Sequence, residues 1–488
     1  MKPRVPAFRF WTMPSAWLCL PACIVLLVTG CATGSLPDIK RIETSSARAV
    51  QLENARGPLS RERSAEIIGK LKARAGDISI LDRHVAVEQA AVDSPLVVGN
   101  KATLLQDGPA TYKAMLAAIG SAKHHINLET YIIEDDEVGR EFSNVLIRKR
   151  EQGVQVNLLY DSVGSINTPR EFFDRLRDNG IQVIEFNPVN PLEAKKDWAL
   201  NNRDHRKLLV ADGRVAFVGG INISSVYSSG SGPGLSRKSP AKAKANAKDK
   251  AAAADKSKSA AWRDTHIQIE GPVVAEFQKL FMQTWEKQGG APLEGSGYFP
   301  KLEERGKDIV RAVGSAADEP YAQIYVTVVS AINSAEKEIH ITNAYFVPDE
   351  QLLEALQNAA RRGVDVRLIL PSHTDFWAVF HAGRAHYTAL LEAGVKIYER
   401  QGALLHSKTA VIDGVWSCVG STNLDWRSFL HNNEIDAVVL GDGFAAQMQA
   451  MFDNDLAQSR AIDLKTWKKR PVGDRFKEWS AGWWEYWL

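Results

Sequence analysis

Two long stretches of this chain run through the same succession of apolar and polar positions. The first predicts a helix at Ala110–Ala122, a strand at His125–Ile133, a helix at Glu137–Gln152, a strand at Val154–Tyr160, a helix at Arg170–Asn179 and a strand at Gln182–Glu185. The second predicts a helix at Ile324–Ala335, a strand at Glu338–Tyr345, a helix at Gln351–Arg362, a strand at Asp365–Leu370, a helix at Arg384–Ala393 and a strand at Lys396–Glu399. Landmarks between the elements coincide as well: Gly153-Val154 with Gly363-Val364, Gly180-Ile181 with Gly394-Val395, and Tyr131 with Tyr345. Apolar strands alternating with helices predict an α/β fold of two similar halves, each a mixed, mostly parallel sheet flanked by helices.

Each stretch ends in one motif. Asp204–Asn222 reads DHRKLLVADGRVAFVGGIN and Leu405–Asn423 reads LHSKTAVIDGVWSCVGSTN, so both carry H-x-K, then D-G, a short apolar run and G-[GS]-x-N. Residues two apart on a strand share a face, which pairs His205 with Lys207 and His406 with Lys408. Asp212-Gly213 and Asp413-Gly414 are hairpin signals, and they predict strands Lys207–Ala211 and Val215–Val218 with a matching pair in the second copy. Small residues before Asn222 and Asn423 suit a close approach of backbone amides to an anion. One such motif would read as a solvated strand edge; two copies identical at His, Lys, Asp, Gly and Asn read as a site.

These residues resemble the phospholipase D superfamily, whose signature is a doubled HxKxxxxD motif, and the resemblance runs from about Lys101 to about Gln458. It implies a phosphodiester substrate and an active site between the halves. Anionic oxygens repel a nucleophile and the alkoxide leaves poorly; Lys207, Lys408, Asn222 and Asn423 around the phosphate answer the first difficulty, and the two histidines the second. The resemblance further implies double displacement through a phosphohistidine, with His205 as nucleophile and His406 as general acid and then base. Asp212 and Asp413 belong to the motif but fall at hairpin turns, in an orienting role. A carboxylate on the following strand holds the catalytic histidine in this superfamily, a role that passes to Asp264 and Glu434 once Trp262–His266 is aligned with Asn432–Asp436. Each His has a Lys beside it and no H-E-x-x-H spacing occurs, so no metal or other cofactor is expected.

Targeting and composition refine the picture. Lys2, Arg4 and Arg9 precede an apolar run at Ala16–Thr29, too short for an ordinary span, and Val28-Thr29-Gly30-Cys31 resembles the bacterial lipobox. Residues 1–30 then form a lipoprotein signal peptide, Cys31 carries lipid, and the body faces the periplasm from a bacterial membrane. Cys19 and Cys23 leave with the signal, so Cys418 remains as a buried, inert thiol and no disulfide framework is possible. The run Ser228–Ala261 is Ala/Lys/Ser-rich without an apolar stripe and predicts a disordered loop. It holds eight Lys and Arg against two Asp; the whole chain carries +2, so the folded body is net acidic and does not suggest nucleic acid as a partner.

The predicted domains are a tether with a loosely packed helix at Ser60–Ala75 (residues 31–100), a first half (101–288, insertion about 229–260), a linker (289–320), a second half (321–458) and a Trp-rich tail (459–488). In the tail Phe476, Trp479, Trp483 and Trp487 recur at helical spacing with Trp484 beside them, which suits either a membrane-interface element or a cap on a hydrophobic core. Lipid anchorage, WRDTHIQIEGP at Trp262–Pro272 and Gly219-Gly220-Ile221-Asn222 are most similar to bacterial cardiolipin synthases. That implies phosphatidyl transfer between phospholipids, with phosphatidylglycerol and a membrane surface as partners; no protein partner is indicated. The alternatives are a hydrolytic phosphodiesterase, acting on phospholipid or nucleic acid, and a non-catalytic envelope lipid-binding protein.

Overall fold

The computed structural model describes residues 36–45, 50–76, 79–190, 198–230, 261–295, 297–317, 322–374 and 376–483. The signal segment, Cys31, residues 231–260 of the insertion, and Trp484 and Trp487 lie outside them. From Pro37 onward the chain forms one compact unit.

One continuous mixed sheet runs through both halves. In the first, His125–Thr130, Gln155–Asp161 and Gln182–Phe186 pair in parallel. Antiparallel strands extend them in the order Lys207–Ala211, Val215–Gly219, Thr265–Glu270 and Leu96–Gln106. The second half has the same arrangement: Glu338–Thr342, Asp365–Pro371 and Lys396–Arg400 in parallel, then Thr409–Ile412, Trp416–Gly420, Asn432–Leu440 and Asp308–Ser315. Within each half the long parallel pairings are those of the strands joined by helical crossovers. The motif strands are joined by tight turns of three residues, 212–214 and 413–415, so they run antiparallel, and the sheet is less parallel than the helix–strand alternation alone suggests.

Leu96–Gln106 pairs with Asp308–Ser315 at the middle of the sheet. Residues 96–100 of the expected tether and Asp308–Ser315 of the expected linker therefore belong to the two strands that fuse the halves. Gly, Pro and charged residues around 289–307 conceal the run DIVRAVGS, of which all but the first residue is buried. The helix Arg83–Ala91 is likewise part of the body: Glu88 is buried 3.7 Å from the guanidinium of Arg311, and His84 Nδ1 lies 2.8 Å from Ser330 Oγ.

Equivalent helices start alike in the two halves. Asp136 accepts from Gly139 N at 2.9 Å to cap Glu137–Glu151, and Asp349 caps Glu350–Arg361 through Gln351 N and Leu352 N. The helix Val274–Lys287 lays Phe277, Phe281 and Trp285 into a core shared with Val310 and Ala437 of the second half. Each such ring contributes roughly 1.5–3 kcal/mol by burial, and together they hold the halves as one body. The helix expected at Arg384–Ala393 occurs as Trp377–Ala385 and Tyr387–Ala393, the first pressed so close to Phe346 O that a side chain at Gly383 would collide with it. Cys418 is buried and free, as its apolar strand implied.

Candidate functional site

Short parallel pairings cross between the halves at the motifs. Arg203–Asp204 pairs with Asn432–Asn433, and Trp262–Arg263 pairs with Leu404–Leu405. The chain continues through His205, whose N–H donates to Asn433 O at 3.0 Å, and through His406, whose N–H donates to Arg263 O at 2.8 Å. Each histidine is thereby set beside the carboxylate strand of the opposite half.

The side chains exchange in the same way. His406 Nδ1 lies 2.7 Å from Asp264 Oδ2, and His205 Nδ1 lies 3.0 Å from both oxygens of Glu434. The carboxylates predicted from the aligned strands are thus both on histidines, but each holds the ring of the other repeat. That exchange is invisible to a sequence comparison made within a repeat. With Nδ1 on a carboxylate, each ring turns Nε2 toward the substrate side.

Both rings open on one cavity of about 410 Å³. Asn222 and Asn423 line it with them, whereas the two lysines do not. Lys207 Nζ donates to His205 O at 2.5 Å, and Lys408 Nζ donates to His406 O, so both ammonium groups sit beneath the histidines. Asn222 spends its side chain on Ile132 N (3.1 Å) and Tyr227 Oη (3.0 Å).

Asp212 and Asp413 are turn residues with φ near +50° whose carboxylates take three backbone amides each: Lys123, His124 and His125, and Glu336, Lys337 and Glu338. Asp at the turn position ties the hairpin to the preceding helix–strand turn, and neither residue lines the cavity. The small residues before the asparagines serve differently from a bed of amides. A side chain at Gly220 would meet Asp264 Oδ1 at 2.2 Å, and at the equivalent position Ser421 Oγ donates to Glu434 at 2.5 Å.

Burial of charged groups makes the two dyads unequal. Burial and the charges of Lys207 and Lys408 hold His205 well below the usual imidazole range. His406 is lowered by burial and Lys408, but Asp264 works against this. Burial opposes the charge on Asp264 too, yet His406, Lys408 and Thr265 N–H outweigh it and keep the carboxyl below its usual range. Glu434 is pushed up to about 7 by burial, and Lys207 is pushed down to about 7 by the same cause. The dyad of His406 therefore carries a firm negative charge and that of His205 a weaker one.

Sequence reasoning did not assign the rest of the cavity wall. Tyr131 stands edge-on to His205 at 5.0 Å and Tyr345 edge-on to His406 at 6.2 Å, a pairing that their repeated positions signalled. Trp262, 5.3 Å from His406, and Arg427, hydrogen-bonded to Asn201, occur on one side only and gave no such signal. Among the described residues no group of three or more His, Cys, Asp or Glu side chains is gathered as a metal site.

A family model described as "Cardiolipin synthase, PLD-like domain" matches residues 115–229 and 328–456. The chain belongs to this family. It is 36% identical over 388 residues to cardiolipin synthase of Geobacillus sp. (strain WCH70), covering 79% of this chain and 72% of that one. It is 35% identical over 377 residues to cardiolipin synthase 2 of Bacillus anthracis, covering 77% and 68%. Phosphatidylserine synthase of Haemophilus influenzae Rd KW20 shares the fold, with a TM-score of 0.60 at 12% identity over 82% of this chain and 99% of that one. The two matched segments coincide with the two halves that supply one histidine each.

Proposed function

We propose that this protein is a phosphatidyltransferase that moves a phosphatidyl group from one phospholipid onto a hydroxyl of another, with phosphatidylglycerol as donor and acceptor. The observation that carries this reading is the pair of crossed dyads, His205–Glu434 and His406–Asp264, opening on one cavity. Two imidazoles facing one phosphorus supply a nucleophile and a proton donor in line. The relatives named cardiolipin synthase support a lipid acceptor.

The unequal dyads support one distribution of roles. His205 is kept as the free base and attacks phosphorus through Nε2, while His406, with the ionised Asp264 behind it, donates a proton to the departing glycerol oxygen. The bond from phosphorus to that oxygen breaks and the phosphatidyl group rests on His205. An acceptor hydroxyl then loses its proton to His406 and attacks phosphorus, which frees His205 and returns both rings to their starting states. Lys207 and Lys408 act from below through the electrostatic field, Asn423 at the cavity wall positions the phosphate oxygens, and Asn222 holds Tyr227 and the Ile132 backbone in the same wall.

A lipid anchor on Cys31 suits this substrate, and the site then works on the periplasmic side of a bacterial membrane. Incubation of the full chain with phosphatidylglycerol labelled in its acyl chains tests the reading. Diphosphatidyl lipid with release of glycerol is the expected product; phosphatidic acid alone would make the protein a hydrolase.

A further inference from the structure

The tail helix, Val472–Gly482, is turned inside out. Its inner side carries Ala481 and Glu478, the carboxylate bound by Arg470 at 2.6–3.1 Å and lying 3.8 Å from Arg384. The outer side carries Val472, Phe476 and Trp479, with Trp483 just beyond the end, and these are 55–78% exposed. Positions 472, 476, 479 and 483 form one stripe, and its rings pack on each other, Phe476 on Trp479 at 5.7 Å and Trp479 on Trp483 at 4.6 Å. A helix packed on a globular body in water buries its apolar stripe and exposes its carboxylates. Here the acid goes in and the indoles go out, so the described tail does not cap a core.

This face is continuous with the catalytic cavity. The tail helix packs on Trp377–Ala385 through Ala481 and Val379, and the start of that rim helix adds Phe376 and Trp377, each more than half exposed. Phe376 and Val379 also line the cavity. Across the mouth, Val163 and Gly164 line it from the loop after the equivalent parallel strand, and Ile166 in that loop is 62% exposed. The charge there is net positive as well. Residues 464–483 hold six Lys and Arg against two acidic residues, and Lys469 and Arg475 make no ion pair among the described residues.

We propose that the tail and rim helices form a docking surface for an anionic phospholipid bilayer, through which lipid passes from the leaflet directly into the cavity. Indoles with lysine and arginine beside them are the side chains that settle at the boundary between headgroups and acyl chains, and an anionic leaflet complements their charge. The docking step requires only the surface; the phosphatidyltransferase reading enters through what is done with the lipid.

The experiment uses the full chain in vesicles of phosphatidylglycerol and phosphatidylcholine, so that any anchor is present in every sample. Phospholipid brominated on its acyl chains should quench part of the tryptophan emission, and that part should shrink markedly in Trp377→Phe/Trp479→Phe/Trp483→Phe. In Trp377→Ala/Phe476→Ala/Trp479→Ala, transfer between bilayer lipids should fall by about tenfold or more, because each ring withdrawn from the interface weakens docking severalfold. Turnover of a short-chain, soluble phosphatidyl donor and the melting temperature should stay near wild type. Unchanged quenching in the Phe variant, or equal vesicle turnover by the Ala variant, would overturn the proposal. So would a fall in melting temperature, which would mean that this chain covers the face, or a change from dimer to monomer on gel filtration, which would mean that a second copy does. If wild type turns over neither donor while the quenching is seen, the reading of the chemistry fails and the docking surface stands.

Discussion

Replacing Asp264 with asparagine removes a charge and leaves the shape. The carboxylate lies 2.7 Å from His406 Nδ1 and accepts from Thr265 N at 2.7 Å, and Gly220 leaves no slack around it, so an isosteric amide fits where a larger side chain would not. Two effects follow. The imidazolium of His406 loses the anion that stabilises it, and the amide can present its NH2 group to Nδ1, which selects the wrong tautomer. Where an Asp–His dyad of this kind has been neutralised in a hydrolase, the rate falls by about 10⁴-fold, and a loss on the order of 10³–10⁴ in kcat with KM nearly unchanged is expected here. Asp264 raises the basicity of His406. Without it the proton donor is exhausted at lower pH, and the alkaline limb of the rate profile moves toward acid. Glu434→Gln should cost less at pH 7, because burial has pushed that carboxyl up to about 7 and it is already partly neutral. The assay is kcat and KM on labelled phosphatidylglycerol between pH 5 and pH 9, alongside the melting temperature, which should hardly move. A rate within about tenfold of wild type, an unshifted alkaline limb, or a larger loss for Glu434→Gln than for Asp264→Asn would refute the reasoning.

Glu88→Gln strands the buried Arg311, so denaturant unfolding should show a loss of about 3–5 kcal/mol, whereas a loosely tethered helix would show almost none. Deleting residues 231–259 should leave the melting temperature within a few degrees, since the sequence there has no apolar stripe to bury; a large fall would show that it packs. Palmitate supplied to growing cells should label the wild type and not Cys31→Ser, and equal labelling of the two would remove the lipoprotein assignment.

The motif strands and most helices were legible because hydrophobic pattern and turn chemistry agree there: Lys207–Ala211 occurs with the bounds its Asp-Gly turn predicted. Repetition picked out His205, His406, Asp264 and Glu434, the resemblance to the phospholipase D superfamily supplied their expected roles, and the geometry brings all four together. What repetition could not carry is any contact between repeats. The exchange of Asp264 and Glu434 between histidines goes with the pairings of Arg203–Asp204 with Asn432–Asn433 and of Trp262–Arg263 with Leu404–Leu405, and strand Asp308–Ser315, which joins the halves, was hidden by flanking residues that read as linker. Asp212 and Asp413 show that a repeated residue serves a repeated turn as readily as a repeated reaction, and the Asp-Gly signal marked that turn. Arg427 and Trp262 break the repeat, so no internal copy marked them.

The central claim is that one cavity between the halves works by double displacement, with His205 carrying the phosphatidyl group. It is tested most directly by stopping the full chain in denaturant during turnover of a donor labelled in its phosphatidyl part, then mapping the label. An acid-labile adduct on the peptide containing His205, absent from His205→Ala, is the predicted result. A label on His406, an adduct persisting in His205→Ala, or turnover in that variant would contradict it.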